Sequence, residues 1–167
     1  MPDLYAQPYD ITANGFHFDS AEDFAARAKT LRNAHGDPVE EFEIQFIDGE
    51  AIDCELAGAI NLTQANYGAY LECCDKLEDW QKCLVILAVG ECGYGFDPDH
   101  DPADYDIDVY HVDSLWDLAE QFVADGFLGE VPESLLVYFD DDAFARDLSV
   151  EYSETIIAGQ RLVWRAG

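Results

Sequence analysis

Acidic residues are interleaved with apolar residues through most of this 167-residue chain. In residues 41–46 aromatic or aliphatic side chains alternate with acidic or amide side chains, and residues 106–109 alternate acidic and aliphatic side chains in the same way. Such alternation is typical of a strand with one face in a core and the other in water. The pattern predicts that folding fixes the carboxylates at defined places on a surface.

The excess of acidic residues excludes several kinds of direct partner. The chain has 36 Asp plus Glu against 8 Lys plus Arg, a formal net charge of -28. DNA, RNA and anionic membrane surfaces carry charge of the same sign, so direct binding to them is not expected. Hydrophobic residues make up 49% of the chain, and 13% are aromatic, which is too apolar for a disordered acidic tail and predicts a packed core.

The start of the chain and the cysteines indicate a soluble, cytoplasmic protein. The first residues lack the basic and apolar regions of a secretory signal, and no apolar run approaches the roughly 18 residues of a membrane span. The five cysteines are odd in number and contain no C-x-x-C, which predicts reduced, mostly buried thiols and neither a disulfide framework nor a zinc site.

The first 60 residues predict short strands and one surface helix. Residues 5–11 and 16–18 have strand composition, and Pro8 predicts that the first of these strands lies at a sheet edge. Ser20 is placed to cap a helix that follows it. After the strand over residues 42–46, Asp48-Gly49 predicts a hairpin turn into a second strand over residues 51–56.

The rest of the chain predicts further helices and a C-terminal sheet, so the fold class is α+β. Residues 63–77 have helical spacing, whereas residues 84–89 fit either a buried strand or a helix. Ser114 precedes a helix that Gly126 ends. The remaining elements are a strand within residues 105–112, a short helix after Pro132, a helix over residues 141–148 and a hairpin around residues 158–160.

No enzyme motif is present, so the chain is not expected to be an enzyme or to bind a cofactor. Cys92 lies within a glycine-rich stretch, residues 90–95, but no cationic residue nearby would lower its thiol pKa. Asp97, Asp99 and Asp101 stand at positions 1, 3 and 5 of a calcium loop, although Pro102 replaces the glycine at position 6 and Asp108 the glutamate at position 12. A calcium-binding protein using residues 97–108 is therefore one alternative function.

The distribution of charge is the most specific feature. Residues 37–142 contain 28 Asp or Glu and, as basic residues, only Lys76 and Lys82. The net charge of the chain equals that of about 14 base pairs, or on the order of 50 Å of duplex. Displaying those charges at DNA-like spacing requires an elongated shape, a dimer, or both. A second alternative is that the acidity is a halophilic or solubility adaptation of a domain with an unrelated activity.

Three motifs follow one another in the C-terminal third of the chain: Leu128-Gly-Glu-Val-Pro132, Tyr138-Phe-Asp140 and Ala143-Phe-Ala-Arg-Asp-Leu148. With these motifs in this order, residues 113–148 resemble the antirestriction protein ArdA family. The similarity continues more loosely through residues 18–48, where residues 41–48 are similar to the family's acidic strand.

The resemblance implies an elongated homodimer whose chain has three small subdomains. These are an N-terminal α/β subdomain at 1–57 with an antiparallel sheet plus helix, a helical middle at 58–96, and a C-terminal α/β subdomain at 97–167. The helical middle favours a helix over residues 84–89. Members of this family imitate bent B-form DNA with their acidic surface, occupy the DNA groove of type I restriction-modification enzymes, and so spare mobile DNA from cleavage.

On this interpretation the partner is a type I restriction-modification enzyme, and no metal, catalytic residue, direct nucleic acid binding or membrane binding is expected. The carboxylates expected to imitate phosphates lie in the last subdomain. They are Asp97, Asp99, Asp101, Asp104, Asp106, Asp108, Asp113, Asp117, Glu120, Asp125, Glu130, Glu133, Asp140, Asp141 and Asp142.

Overall fold

The structure, a computed structural model, describes residues 1–167 and divides them into two compact units. Unit 1 is Met1–Tyr105 and unit 2 is Asp106–Gly167. Seven α-helices and two three-stranded antiparallel sheets confirm the α+β class. The division into three subdomains stays a prediction. No helix is both long enough and apolar enough to cross a bilayer.

The sheet of unit 1 has the strand order β2-β1-β3, with β1 at Asp3–Pro8, β2 at Phe16–Phe18 and β3 at Phe42–Asp48. Pro8 was expected at a sheet edge, but β1 is the central strand. The strand tolerates Pro8 because it is the last residue of β1, and the next amide, that of Tyr9, resumes the pairing by donating to the Glu41 carbonyl (3.2 Å).

Helix α1, Ala21–Thr30, covers one face of this sheet. As predicted, Ser20 caps it: the Ser20 Oγ accepts a hydrogen bond from the Asp23 amide (3.2 Å). Phe24 is the buried residue of the helix. Its ring packs against Phe18 and Phe42, and against Tyr67 from the helical part of the unit, with centroids 4.5–5.5 Å apart. Sheet and helical segment therefore share one aromatic core.

The strand predicted over residues 51–56 is wrong, because these residues begin helix α2, Ala51–Ala59. The order Ile52-Asp53-Cys54-Glu55-Leu56 alternates apolar with polar residues and so imitates a strand. In the helix, Ile52, Asp53 and Leu56 turn inward together. A buried aspartate is not expected, because charged side chains normally face water. It is explained by a buried cation from another helix, described below.

Three further helical segments complete unit 1. Helix α3 is Tyr67–Lys76 and helix α4 is Asp79–Val85, which continues into a π-helical turn at Ile86–Glu91. The ambiguous residues 84–89 are thus helical and largely buried, as the resemblance implied. A short 3-10 helix, Pro102–Asp104, follows near the end of the unit.

The sheet of unit 2 has the order β4-β6-β5, with β4 at Ile107–Tyr110, β5 at Ser153–Ile157 and β6 at Gln160–Ala166. The predicted hairpin joins β5 to β6. Its two turn residues, Ala158 and Gly159, both have positive φ (51° and 78°), the backbone that a tight two-residue hairpin requires.

Helices α5 (Leu115–Ala124), α6 (Glu133–Leu136) and α7 (Asp141–Leu148) confirm the predicted helices of unit 2. Ser114 caps α5, and Gly126 follows it with φ of 73°. The two longer helices pack on the sheet around one core. That core consists of Leu118, Ala119, Phe122, Leu148, Tyr152 and Val163.

Candidate acidic interaction surface

The carboxylates of residues 37–142 are almost all on the surface. Of the 28, 24 are exposed and three are half-buried, namely Glu55, Asp117 and Asp141. Asp53 alone is buried, at 5% exposure. The elements explain this placement, because the strands alternate their faces and the helices turn their apolar stripe to a core. We call the 27 accessible carboxylates the acidic surface.

Neither of the two basic residues in this stretch is both exposed and unpaired. Lys82 of α4 is only 4% exposed, and its Nζ donates to the Asp53 Oδ1 of α2 (2.7 Å). Lys76 is exposed but pairs with Glu72 one helical turn away (2.8 Å). The hydrogen bond and charge of Lys76 lower the pKa of Glu72 below its ordinary value. No unpaired, exposed Lys or Arg lies between residues 37 and 142.

All 15 predicted site residues are accessible to a partner. Asp117 and Asp141 are half-buried, and the other 13 are exposed. Asp97, Asp99, Asp101 and Asp104 fall in unit 1, and the remaining 11 fall in unit 2.

Several of these carboxylates also have local structural roles. Asp101 caps the 3-10 helix through the Ala103 amide (3.0 Å), and Asp140 caps α7 through the Ala143 amide (2.9 Å). Asp117 accepts from the Ser114 hydroxyl (2.6 Å), and Asp108 pairs with Arg165 (2.6 Å). A carboxylate accepting one such bond keeps other lone pairs for a partner, so these roles do not remove it from the surface.

Four predicted residues of unit 2 line one open groove. Glu120, Asp125, Glu130 and Asp141 surround a depression of about 980 Å³, whose apolar lining includes Leu136 and Phe139. No lysine or arginine lines it. We call this depression the acidic groove; it joins carboxylates from α5, the following loop and the start of α7.

The geometry gives the calcium alternative no support. No group of three or more His, Cys, Asp or Glu side chains is placed to hold a metal ion. Two of the three carboxylates in residues 97–101 instead accept hydrogen bonds from nearby backbone amides. Asp97 accepts from the Asp99 amide (3.0 Å), and Asp101 is used as a cap.

Four of the five cysteines have a raised thiol pKa, although the expectation that most cysteines are buried is wrong. Only Cys73 and Cys83 are buried, while Cys74 and Cys92 are half-buried and Cys54 is exposed. Burial raises the pKa of Cys74 to about 12 and that of Cys83 to about 11. Burial and the neighbouring Glu91 also raise the pKa of Cys92, which disfavours the thiolate that a nucleophile needs.

Sequence reasoning missed two groups of exposed apolar residues. One is the set we call the apolar surface of unit 2: Phe127, Leu128, Leu135, Leu136, Val137 and Tyr138, each between 42% and 82% exposed. The other is the pair of exposed tryptophans, Trp80 and Trp116. Two of the residues of the apolar surface, Leu128 and Tyr138, lie in the motifs that carry the resemblance, a signal that could have marked it as a contact surface.

Comparison with protein-family models and with curated proteins gives no match for this chain.

Proposed function

We propose that this protein is an antirestriction protein of the ArdA type. Its acidic surface imitates B-form DNA and competitively occupies the DNA-binding groove of a type I restriction-modification enzyme. The observation that carries this proposal is a stretch of about a hundred residues with 27 accessible carboxylates and no unpaired exposed Lys or Arg. The resemblance of residues 113–148 supports the choice of enzyme class.

The density of charge in each unit supports mimicry. Unit 2 has 14 carboxylates against three arginines, a net charge of -11 that equals about 19 Å of duplex. A compact unit of that length has a radius of gyration of about 11 Å and so a width under about 30 Å. Unit 1 has a net charge of -17, which equals that of about 29 Å of duplex, and its width is about 33 Å. Each unit thus approaches the charge per length of DNA.

The inhibition needs no chemical step. Carboxylates take the place of phosphates in contacts with the enzyme's Arg and Lys side chains, and both surfaces release counterions as they meet. The salt dependence of inhibition follows from this mechanism. Raising the salt concentration weakens association, because the released ions re-enter a more concentrated solution and the charges are screened.

Self-association is part of the proposal, and the apolar surface of unit 2 supports it. Six exposed apolar side chains within one stretch of 12 residues, 127–138, make this stretch a candidate contact surface. Two copies that met there would bury these side chains, while the carboxylates around them would repel. We therefore expect the homodimer to tighten as salt screens that repulsion, opposite to the salt effect on enzyme binding.

Val137→Asp should weaken the homodimer at least about tenfold, because it desolvates a new charge in an apolar contact. Sedimentation velocity over a range of concentrations measures the dissociation constant. Val150→Asp is the matched control, since Val150 is 85% exposed and lies outside the apolar surface. Equal dimerisation by the two variants, or a native protein that stays monomeric, contradicts this assignment.

The proposal is tested by measuring DNA cleavage by a type I enzyme and urea unfolding of the protein across one series of salt concentrations. Mimicry predicts inhibition that declines as salt rises while the protein remains folded. A halophilic adaptation predicts the reverse pattern, with folding that strengthens steadily with salt and no inhibition at any concentration.

A further inference from the structure

Two of the three tryptophans stand in equivalent places on the acidic surface. Trp80 is the second residue of α4 and is 53% exposed; Trp116 is the second residue of α5 and is 41% exposed. One lies in unit 1 and the other in unit 2. Trp164 differs, because it is half-buried within β6.

Carboxylates flank both indoles. Glu78 and Asp79 immediately precede Trp80, and both are exposed. Asp117 follows Trp116, and Glu120 lies four residues further along α5, so its side chain shares the helix face of the indole. Each indole thus presents an aromatic surface among negative charges.

The protein's own cations do not cover these rings. The cation–π contact of the chain is that of Arg165 over Tyr152 (5.2 Å). Arg146 lines the same depression as Trp116, but its Nε donates to the Asp142 carbonyl on its own helix (3.2 Å). Lys82, two residues after Trp80, is buried against Asp53. Both indoles are therefore open to a cation from outside.

We propose that Trp80 and Trp116 are stacking platforms for arginine side chains of the partner, flanked by carboxylates that pair with the same guanidinium groups. This inference rests on the proposed function for the partner's identity. Guanidinium groups stack on aromatic faces, and indole is the best such face in proteins, whereas a strongly hydrated lysine ammonium gains less. The arrangement adds to phosphate imitation a flat apolar surface, which in DNA is supplied by the bases.

The test uses two peptides of equal charge, octaarginine and octalysine, with titration calorimetry for the affinities and the tryptophan emission of the native chain as a second signal. We expect octaarginine to shift the emission and to bind about fivefold more tightly than octalysine. In the double variant Trp80→Ala/Trp116→Ala, octaarginine should bind about fivefold more weakly than to the native protein, with octalysine nearly unaffected, so that the two peptides bind almost equally. The slope of log affinity against log salt should stay unchanged, because no charge is removed.

Tyr9→Ala is the matched control, since Tyr9 is an exposed aromatic residue of unit 1, at 65%, outside residues 37–142. Native emission that stays constant at saturating octaarginine overturns the proposal without any variant. Equal octaarginine affinity in the double variant and in Tyr9→Ala also overturns it. Since neither measurement involves a restriction enzyme, a failure of the antirestriction function would be seen separately.

Discussion

Replacing Lys82 with Met should destabilise unit 1 by about 3–5 kcal/mol, the cost of leaving one member of a buried ion pair without its partner. Lys82 and Asp53 are 4% and 5% exposed, and their charged atoms are 2.7 Å apart. The substitution leaves the Asp53 carboxylate in the core without its cation. Urea unfolding followed by circular dichroism gives the change in free energy.

Two control variants separate the effect of burial on stability from the effect of losing a charge. Lys76→Met breaks an exposed pair, with Glu72, and should cost less than about 1 kcal/mol. The double variant Lys82→Met/Asp53→Leu removes both buried charges and should recover most of the loss. A cost for Lys82→Met no larger than that for Lys76→Met would show that the pair is solvated, contrary to this structure.

The Lys82–Asp53 pair makes the stability of unit 1 depend on pH. Burial alone would lower the pKa of Lys82, but the hydrogen bond and charge of Asp53 outweigh it and raise that pKa above the ordinary 10.5. The lysine contribution to stability is therefore complete below about pH 10.5 and is lost as the pH rises through the folded-state pKa.

Neutralising the acidic groove should weaken inhibition on the order of 100-fold, since each exposed ion pair contributes roughly 0.2–1 kcal/mol and four are lost together. The variant is Glu120→Gln/Asp125→Asn/Glu130→Gln/Asp141→Asn. Each single substitution should change inhibition less than about fivefold, because the remaining charges share the contact. The measurement is the concentration for half-inhibition of a type I enzyme at constant salt.

A control of equal charge removes four exposed acids outside residues 37–142: Asp19→Asn, Glu22→Gln, Asp147→Asn and Glu151→Gln. Both variants have a net charge four units less negative than the native protein, so a general charge effect would weaken them equally. We expect the control variant to inhibit nearly as well as the native protein. A single substitution in the acidic groove that abolished inhibition in a folded protein would contradict the idea of shared charges.

Local signals in the sequence were sufficient for most of the fold. The caps at Ser20 and Ser114, the alternation in β3 and the glycine of the last hairpin each depend on residues within a few positions of one another. Two predictions failed because tertiary context decided them. The inward Asp53 depends on Lys82, 29 residues away, and the central place of β1 depends on β3.

The candidate surface could also be predicted only in part, namely where local signals in the sequence decide which residues are exposed. Charge is a property of composition, and helix and strand periodicity place most carboxylates outward. The burial of Lys82 could not be predicted from the residues near it in sequence, since a buried lysine needs a partner, here from another helix. Exposure of Trp80 and Trp116 was equally hidden, because a tryptophan side chain is on average mostly buried.

Displacement of DNA tests whether an enzyme accepts this acidic surface in place of DNA. A type I restriction-modification enzyme is bound to a fluorescently labelled target duplex, and this protein is added while anisotropy is followed. We expect complete release of the duplex at stoichiometric to modest excess of the protein, with more protein needed as salt rises. Anisotropy that stays at the bound value at every protein and salt concentration would contradict mimicry of DNA.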